Sequence, residues 1–149
     1  MALLDDKELE SVLGDGVDLI TFKQILEMDE PDDNEFSTSI VFGFFEQAEE
    51  TFEFMDTALD GKNLERLSEL GHFLKGSSAT LGLVKVRDGC EKIQRYGKQE
   101  NLDGSPETDV EVCLARVKEA LTAVKSDYEE VEARLKKLYD KIDEDEEGA

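Results

Sequence analysis

The sequence predicts an all-α fold: an antiparallel four-helix bundle with one or two short helices flanking it on the N-terminal side. Apolar residues recur at three- and four-residue spacing along almost the whole chain, and no window shows the period-two alternation of a strand. The two prolines, Pro31 and Pro106, stand in loops or at helix starts. The 149 residues are enough for one domain with a sizeable core.

Two short helices are predicted before the bundle. The first covers Asp5 to Leu13 and ends at a glycine-rich turn, and the second runs from Val17 to about Met28. An acidic loop with Pro31 then interrupts the helical pattern. We therefore expect residues 1–16 to form a flanking segment and residues 17–139 to form the bundle domain.

Three helices of the bundle follow, each with an apolar stripe at helical spacing. The third helix is predicted over residues 35–59, the fourth over 64–81 and the fifth over 86–99. The inward-facing residues predicted for the fourth and fifth helices are Leu64, Leu67, Leu70, Leu74, Ser78, Leu81, Val86, Cys90, Ile93 and Gly97.

The last helix begins at Val110 and carries the most regular pattern, a heptad seam. The seam residues are Val110, Leu114, Val117, Leu121, Val124, Tyr128, Val131, Leu135 and Leu138. At ~1.5 Å per residue this helix would exceed ~40 Å, so its far half could pack, project or pair with a second chain. We favour one long bundle helix. The carboxylate run in residues 140–149 predicts a disordered acidic tail.

Composition excludes several classes of function. A net charge of −21 argues against nucleic-acid binding and against anionic membrane surfaces. No segment is apolar enough to span a bilayer, and the N-terminus lacks the pattern of a signal peptide. Cys90 and Cys113 fall in apolar stripes, which predicts buried reduced thiols and an intracellular protein.

The only histidine of the chain is the candidate functional residue. Near neutral pH an imidazole can serve as nucleophile, base or ligand. Plotted at ~100° per residue, His72 lies well over a right angle from the centre of its helix's apolar stripe, so we expect it to be exposed. Lys75, Gly76 and Ser68 share its face, which predicts an exposed patch of small residues around the imidazole, whereas Gly71 lies nearer the opposite side of the helix. Because glycine inside a helix costs ~1 kcal/mol relative to alanine, Gly76 indicates a surface that another molecule approaches closely.

Other chemistries find little support around His72. No serine or cysteine is placed as the nucleophile of a histidine-dependent triad. No glycine-rich phosphate loop follows a strand, so no ATP pocket is expected. Glu65 and Glu69 are helical neighbours of His72, but one histidine with surface glutamates gives only adventitious metal contacts, and we predict no metal site.

The segment from His72 to Gly82, with its core His72-Phe73-Leu74-Lys75-Gly76-Ser77-Ser78, resembles the signature of histidine-containing phosphotransfer (HPt) domains. Cys90-Glu91-Lys92-Ile93-Gln94 on the next helix and Phe45-Glu46-Gln47-Ala48 upstream extend the likeness over residues 17–139. Within the family the chain is most similar to the fungal Ypd-type phosphorelay intermediates. The resemblance implies a four-helix bundle with an exposed phosphorylatable histidine.

The resemblance also implies roles for single residues. His72 would accept a phosphoryl group from the receiver aspartate of a hybrid sensor histidine kinase and pass it to the receiver aspartates of response regulators, in osmotic-stress-type signalling. Lys75 would balance the added charge, Gly76 would allow close approach, and Gln94 would orient the imidazole. Lys98 would supply positive charge where close relatives commonly have arginine, but it could not form the paired hydrogen bonds that a guanidinium makes with a phosphoryl group. The receiver would supply Mg²⁺, so no cofactor, kinase activity or ATPase activity of this chain is expected.

A docking surface for receivers follows from the same resemblance. The implied apolar docking residues are Ile25, Met28, Phe36, Ile40 and Phe44. The expected partners are receiver domains, with no nucleic acid and no membrane, and the chain is expected to be a monomer in cytoplasm and nucleus. Two alternatives stay open: a helical adaptor that uses the heptad seam, with His72 incidental, and a dimeric phosphoacceptor domain of a histidine kinase.

Overall fold

The computed structural model describes residues 5–31 and 33–148, and side chains as far as residue 143. The first four residues of the expected flanking segment, Asp32 and Ala149 lie outside the described residues. The α-helices are α1 (Asp6–Leu13), α2 (Leu19–Leu26), α3 (Glu35–Asp60), α4 (Leu64–Thr80), α5 (Val84–Gly97) and α6 (Val110–Gly148). A 3₁₀ turn, Gly14–Gly16, follows α1. No strand occurs in the described part of the chain, and the all-α prediction is confirmed.

The ends of α3 and α4 are fixed by side-chain caps and by one glycine. The Asp33 carboxylate accepts from the Glu35 backbone N–H at 2.9 Å, and Asn63 accepts from the Arg66 N–H at 3.0 Å. After α4 the chain turns at Gly82, whose φ is +75°. A Cβ atom on Gly82 would lie 2.9 Å from the Asp18 carbonyl oxygen, so the start of α2 packs directly on this turn.

Helices α3 to α6 form the bundle, and α4 and α5 make its closest pair. Every residue predicted to face inward from the fourth and fifth helices is buried. The two backbones come together at glycines: a Cβ on Gly97 would lie 2.7 Å from the Leu64 carbonyl oxygen. Side chains on the facing edges of α4 and α5 are therefore within reach of each other.

The long helix α6 buries its heptad seam inside this one chain. All seam residues from Leu114 to Leu138 are buried, while Val110 at the start is exposed. Helix α1 covers the far half, where the Arg134 guanidinium donates to the Val12 carbonyl oxygen at 3.2 Å. The seam therefore has its partners within the chain and offers no free face for a coiled-coil dimer or an adaptor.

The disordered tail expected over residues 140–149 is a wrong prediction for residues 140–148, which continue α6. Ile142 lies four residues beyond Leu138 and is buried, so the apolar stripe extends past the point where the charge run begins. The Lys141 ammonium also lies 3.9 Å from the Glu8 carboxylate of α1. Among the described helices none has the length and apolarity needed to cross a bilayer.

Candidate functional site

His72 lies exposed on α4, as its angle from the stripe predicts, and one ring nitrogen is already engaged. The Gln94 side-chain amide of α5 lies 3.2 Å from the imidazole Nδ1. Among the described residues no side chain hydrogen-bonds the imidazole Nε2. The ring is thus oriented through Nδ1, and Nε2 is the nitrogen left for chemistry.

Gly71 explains why Gln94 can reach the imidazole. A Cβ atom at Gly71 would lie 2.8 Å from the Cys90 carbonyl oxygen and 2.9 Å from the Gln94 backbone nitrogen. Contacts this short with backbone atoms would force the helices apart, so only glycine permits this approach. The sequence placed Gly71 away from the His72 face and assigned it no role, whereas the structure shows it holding α5 beside His72.

A second contact between α4 and α5 lies one helical turn further along. Lys75 extends its ammonium to 3.6 Å from Glu91 Oε1, and the Arg95 guanidinium lies 3.9 Å from the same oxygen. In antiparallel helices, the residue three after His72 faces the residue three before Gln94. The contacts His72–Gln94 and Lys75–Glu91 are therefore neighbours along the same pair of helices. Sequence reasoning missed Glu91 and Arg95, although this register could have indicated Glu91.

Nothing in the described part of the chain requires glycine at position 76. Gly76 is exposed, and a Cβ atom there would meet no neighbouring heavy atom of the described residues within 4 Å. Lys98 is also exposed, at the C-terminal cap of α5. Ser68 was expected on the same face as His72, but it is buried, because Gly97 of α5 packs against its backbone.

The expected docking residues divide into an exposed and a buried set. Met28 and Phe36 are 65% and 42% exposed, and with half-buried Ile40 they line an open groove, here called the α2–α3 groove. Glu30, Asp33, Glu35 and Ser39 form its polar rim. Ile25 and Phe44 are buried and belong to the hydrophobic core.

Neither cysteine belongs to the site. Both Cys90 and Cys113 are buried free thiols, and burial raises the pKa of Cys90 to about 12. The described residues also contain no group of three or more histidine, cysteine or carboxylate side chains suited to a metal ion. The chemistry available on this surface is therefore that of one oriented imidazole beside a small charged cluster.

Sequence comparison assigns this arrangement to a known family. The profile of the Hpt domain matches residues 40–144. The chain is 44% identical over 140 residues to "Multistep phosphorelay regulator 1" of Schizosaccharomyces pombe, across 93% of this chain and 45% of that protein. It is 46% identical over 108 residues to the phosphorelay intermediate protein YPD1 of Candida albicans, across 72% of this chain and 58% of that one. The chain thus spans about half the length of the curated relatives it matches.

Solved structures give the same result for the fold. The crystal structure of yeast Ypd1p is similar with a TM-score of 0.74 at 28% identity, covering 87% of this chain and 98% of that one. Saccharomyces cerevisiae Ypd1 crystallised with the receiver domain of its downstream response regulator Ssk1 has a TM-score of 0.74 at 30% identity, covering 87% and 97%. The family expected from the residues around His72 is confirmed: this chain belongs to the Hpt domain family.

Proposed function

We propose that this chain is a phosphorelay intermediate. His72 accepts a phosphoryl group from the aspartyl phosphate of a hybrid sensor kinase's receiver domain and passes it to the receiver aspartate of a response regulator. The observation that carries this proposal is an exposed imidazole whose Nδ1 faces the Gln94 amide while Nε2 stays open. The phosphorelay relatives and the receiver-bound structure of yeast Ypd1 support it.

In the transfer step the lone pair of His72 Nε2 attacks phosphorus in line with the aspartyl oxygen. The N–P bond forms, the P–O bond breaks, and the aspartate leaves as a carboxylate. The structure places the Gln94 amide nitrogen 3.2 Å from Nδ1. In the proposed step the amide is turned over, so that its oxygen accepts a hydrogen bond from the proton on Nδ1 and the Nε2 lone pair is free to attack. Transfer to the next receiver reverses these changes, so one fixed ring orientation serves both directions.

Charge and access complete the site. Phosphoryl transfer depends mainly on positioning and charge neutralisation, and the Lys75 ammonium on the same helix face supplies a cation for the phosphoryl oxygens. Lys98 adds positive charge one turn beyond Gln94. The space above Gly76, which no described residue occupies, leaves room for receiver loops to approach the imidazole.

The α2–α3 groove is the proposed docking surface for receivers. Exposed apolar side chains with a polar rim are typical of a protein interface, and Met28 and Phe36 are both large apolar residues that lie exposed. Ile25 and Phe44 support this surface as core residues rather than as direct contacts.

The proposal makes the chain a phosphocarrier that has neither kinase nor ATPase activity and is a monomer. In this proposal the receiver supplies the Mg²⁺. Residence in both cytoplasm and nucleus follows if the downstream regulators act in both places. Fractionation of cells that express a tagged chain would test this location.

The decisive experiment measures acid-labile phosphate on the chain after mixing with a phosphorylated receiver domain and Mg²⁺. Wild type is compared with His72→Gln, which removes the nucleophile without adding charge. Label on wild type alone is the expected result. Label on both would place the acceptor elsewhere, and label on neither, with several receivers tried, would refute the proposed function.

A further inference from the structure

A single carboxylate oxygen joins two cations beside the phosphoryl acceptor. Glu91 Oε1 lies 3.6 Å from Lys75 Nζ and 3.9 Å from a guanidinium nitrogen of Arg95. Lys75 comes from α4 and Arg95 from α5, so the oxygen lies between cations of both helices. These three residues lie one helical turn from the contact between His72 and Gln94.

These ion pairs are too exposed to stabilise the fold appreciably. The side chains of Lys75, Glu91 and Arg95 are 35%, 43% and 39% exposed, and exposed pairs contribute little because water screens them. An interaction this weak exchanges easily when a stronger anion arrives. A phosphoryl group on His72 is such an anion, with about two negative charges near neutral pH.

We propose that Glu91 is a positioning residue that competes with the phosphoryl group for Lys75. Without phosphate, Glu91 holds Lys75 toward α5; with phosphate on His72, Lys75 turns to the phosphoryl oxygens and Arg95 remains as the partner of Glu91. This inference rests on the proposed phosphocarrier function of His72.

The competition between Glu91 and the phosphoryl group for Lys75 favours release of the phosphoryl group from His72. Each phosphorylation has to detach Lys75 from Glu91, and the Glu91 charge then repels the phosphoryl group. Both effects disfavour the phosphorylated chain, so they make phospho-His72 a better donor to the next receiver. Without the Glu91 charge, the phosphoryl group would be held longer and passed on less completely.

The test compares Glu91→Gln with wild type in two measurements: the distribution of phosphoryl groups between receiver and chain at equilibrium, and the lifetime of isolated phospho-His72. In water one unit charge at the spacing of neighbouring side chains changes an equilibrium by about fivefold. We therefore expect Glu91→Gln to shift the distribution about fivefold toward the phosphorylated chain and to lengthen the lifetime. The shift should shrink as salt is added.

Three controls separate this role from a structural one. Glu91→Asp keeps the charge and should behave as wild type. Glu129→Gln, at an exposed position of α6, changes the net charge equally and should leave both measurements unchanged. In a Lys75→Gln background the effect of Glu91→Gln should fall below about twofold, because paired residues are not additive.

The outcomes distinguish this inference from the proposed function. Absence of label on wild-type chain would refute the carrier function itself. Normal labelling of wild type with an unchanged distribution in Glu91→Gln, or with an equal effect of Glu129→Gln, would overturn only the role of Glu91. A shift that is independent of salt would overturn it too, because it would indicate altered packing.

Discussion

Gly71 and Gly76 occupy the same helix on either side of His72, and they should respond oppositely to an added methyl group. At Gly71 the new Cβ would lie 2.8 Å and 2.9 Å from backbone atoms of α5. At Gly76 the new Cβ would meet no neighbouring heavy atom within 4 Å among residues 5–31 and 33–148. The pair therefore tests the α4–α5 contact with matched substitutions to alanine.

The expected magnitudes follow from two terms. Alanine is favoured over glycine inside a helix by about 1 kcal/mol at both positions. Overpacking against a backbone that cannot rotate away costs about 1–3 kcal/mol, and it applies only at Gly71. Gly76→Ala should thus raise the free energy of unfolding by about 1 kcal/mol, whereas Gly71→Ala should lower it by about 0–2 kcal/mol.

Urea unfolding followed by circular dichroism measures both values. With a slope of about 2 kcal/mol per molar urea, the two midpoints should differ by about 0.5–1.5 M. Phosphoryl transfer should show a second contrast: Gly71→Ala slows it by displacing Gln94, and Gly76→Ala slows it by obstructing the receiver although the protein is more stable. Equal unfolding midpoints for the two variants would refute the close approach at Gly71.

Three further predictions follow from the described contacts. Gln94→Leu removes the partner of the imidazole Nδ1, so transfer should slow by about tenfold or more with little change in thermal unfolding; a wild-type time course would contradict this role. Burial raises the pKa of Cys90 from 9.0 to about 12, so its contribution to stability should be complete below pH 9 and decline as the pH rises toward 12. Iodoacetamide at pH 8 should label Cys90 far more slowly in native protein than in urea, and comparable rates by mass spectrometry would show that the thiol is accessible. Light scattering should give the monomer mass of 16.7 kDa, and a stable dimer would contradict the burial of the seam within one chain.

The sequence was sufficient for features that one helix determines by itself. The stripe from Leu64 to Leu81 follows from helical periodicity, and it is buried as predicted. The exposure of His72 follows from its angle to that stripe. The same approach gave a wrong prediction for residues 140–148, which are helical. The run of charged residues there outweighed Ile142, a single apolar residue that packs this part of the helix against the core.

Features that need two helices at a known separation lay beyond the sequence. Gly71 is important because a Cβ atom there would lie less than 3 Å from the Cys90 carbonyl oxygen. The spacing of apolar residues along one helix does not reveal such a distance between two helices. The shared position of Glu91 between Lys75 and Arg95 likewise depends on the register of α4 against α5. The prediction that Ser68 is exposed beside His72 was wrong for the same reason, because α5 packs against Ser68 at Gly97.

The two sides of His72 differ in how much of the site the chain itself completes. On the α5 side, Gly71 brings the backbones together and Gln94 holds the ring, so the imidazole orientation is set before any partner binds. On the other side, no described residue fills the space over Gly76. The proposed carrier, which would exchange its phosphoryl group with different receivers, would benefit from this division, because only the orientation of the nucleophile has to be the same in every complex. Two glycines five residues apart therefore have opposite effects. Gly71 allows the close helix contact that orients the imidazole, and Gly76 leaves the other side open to a partner.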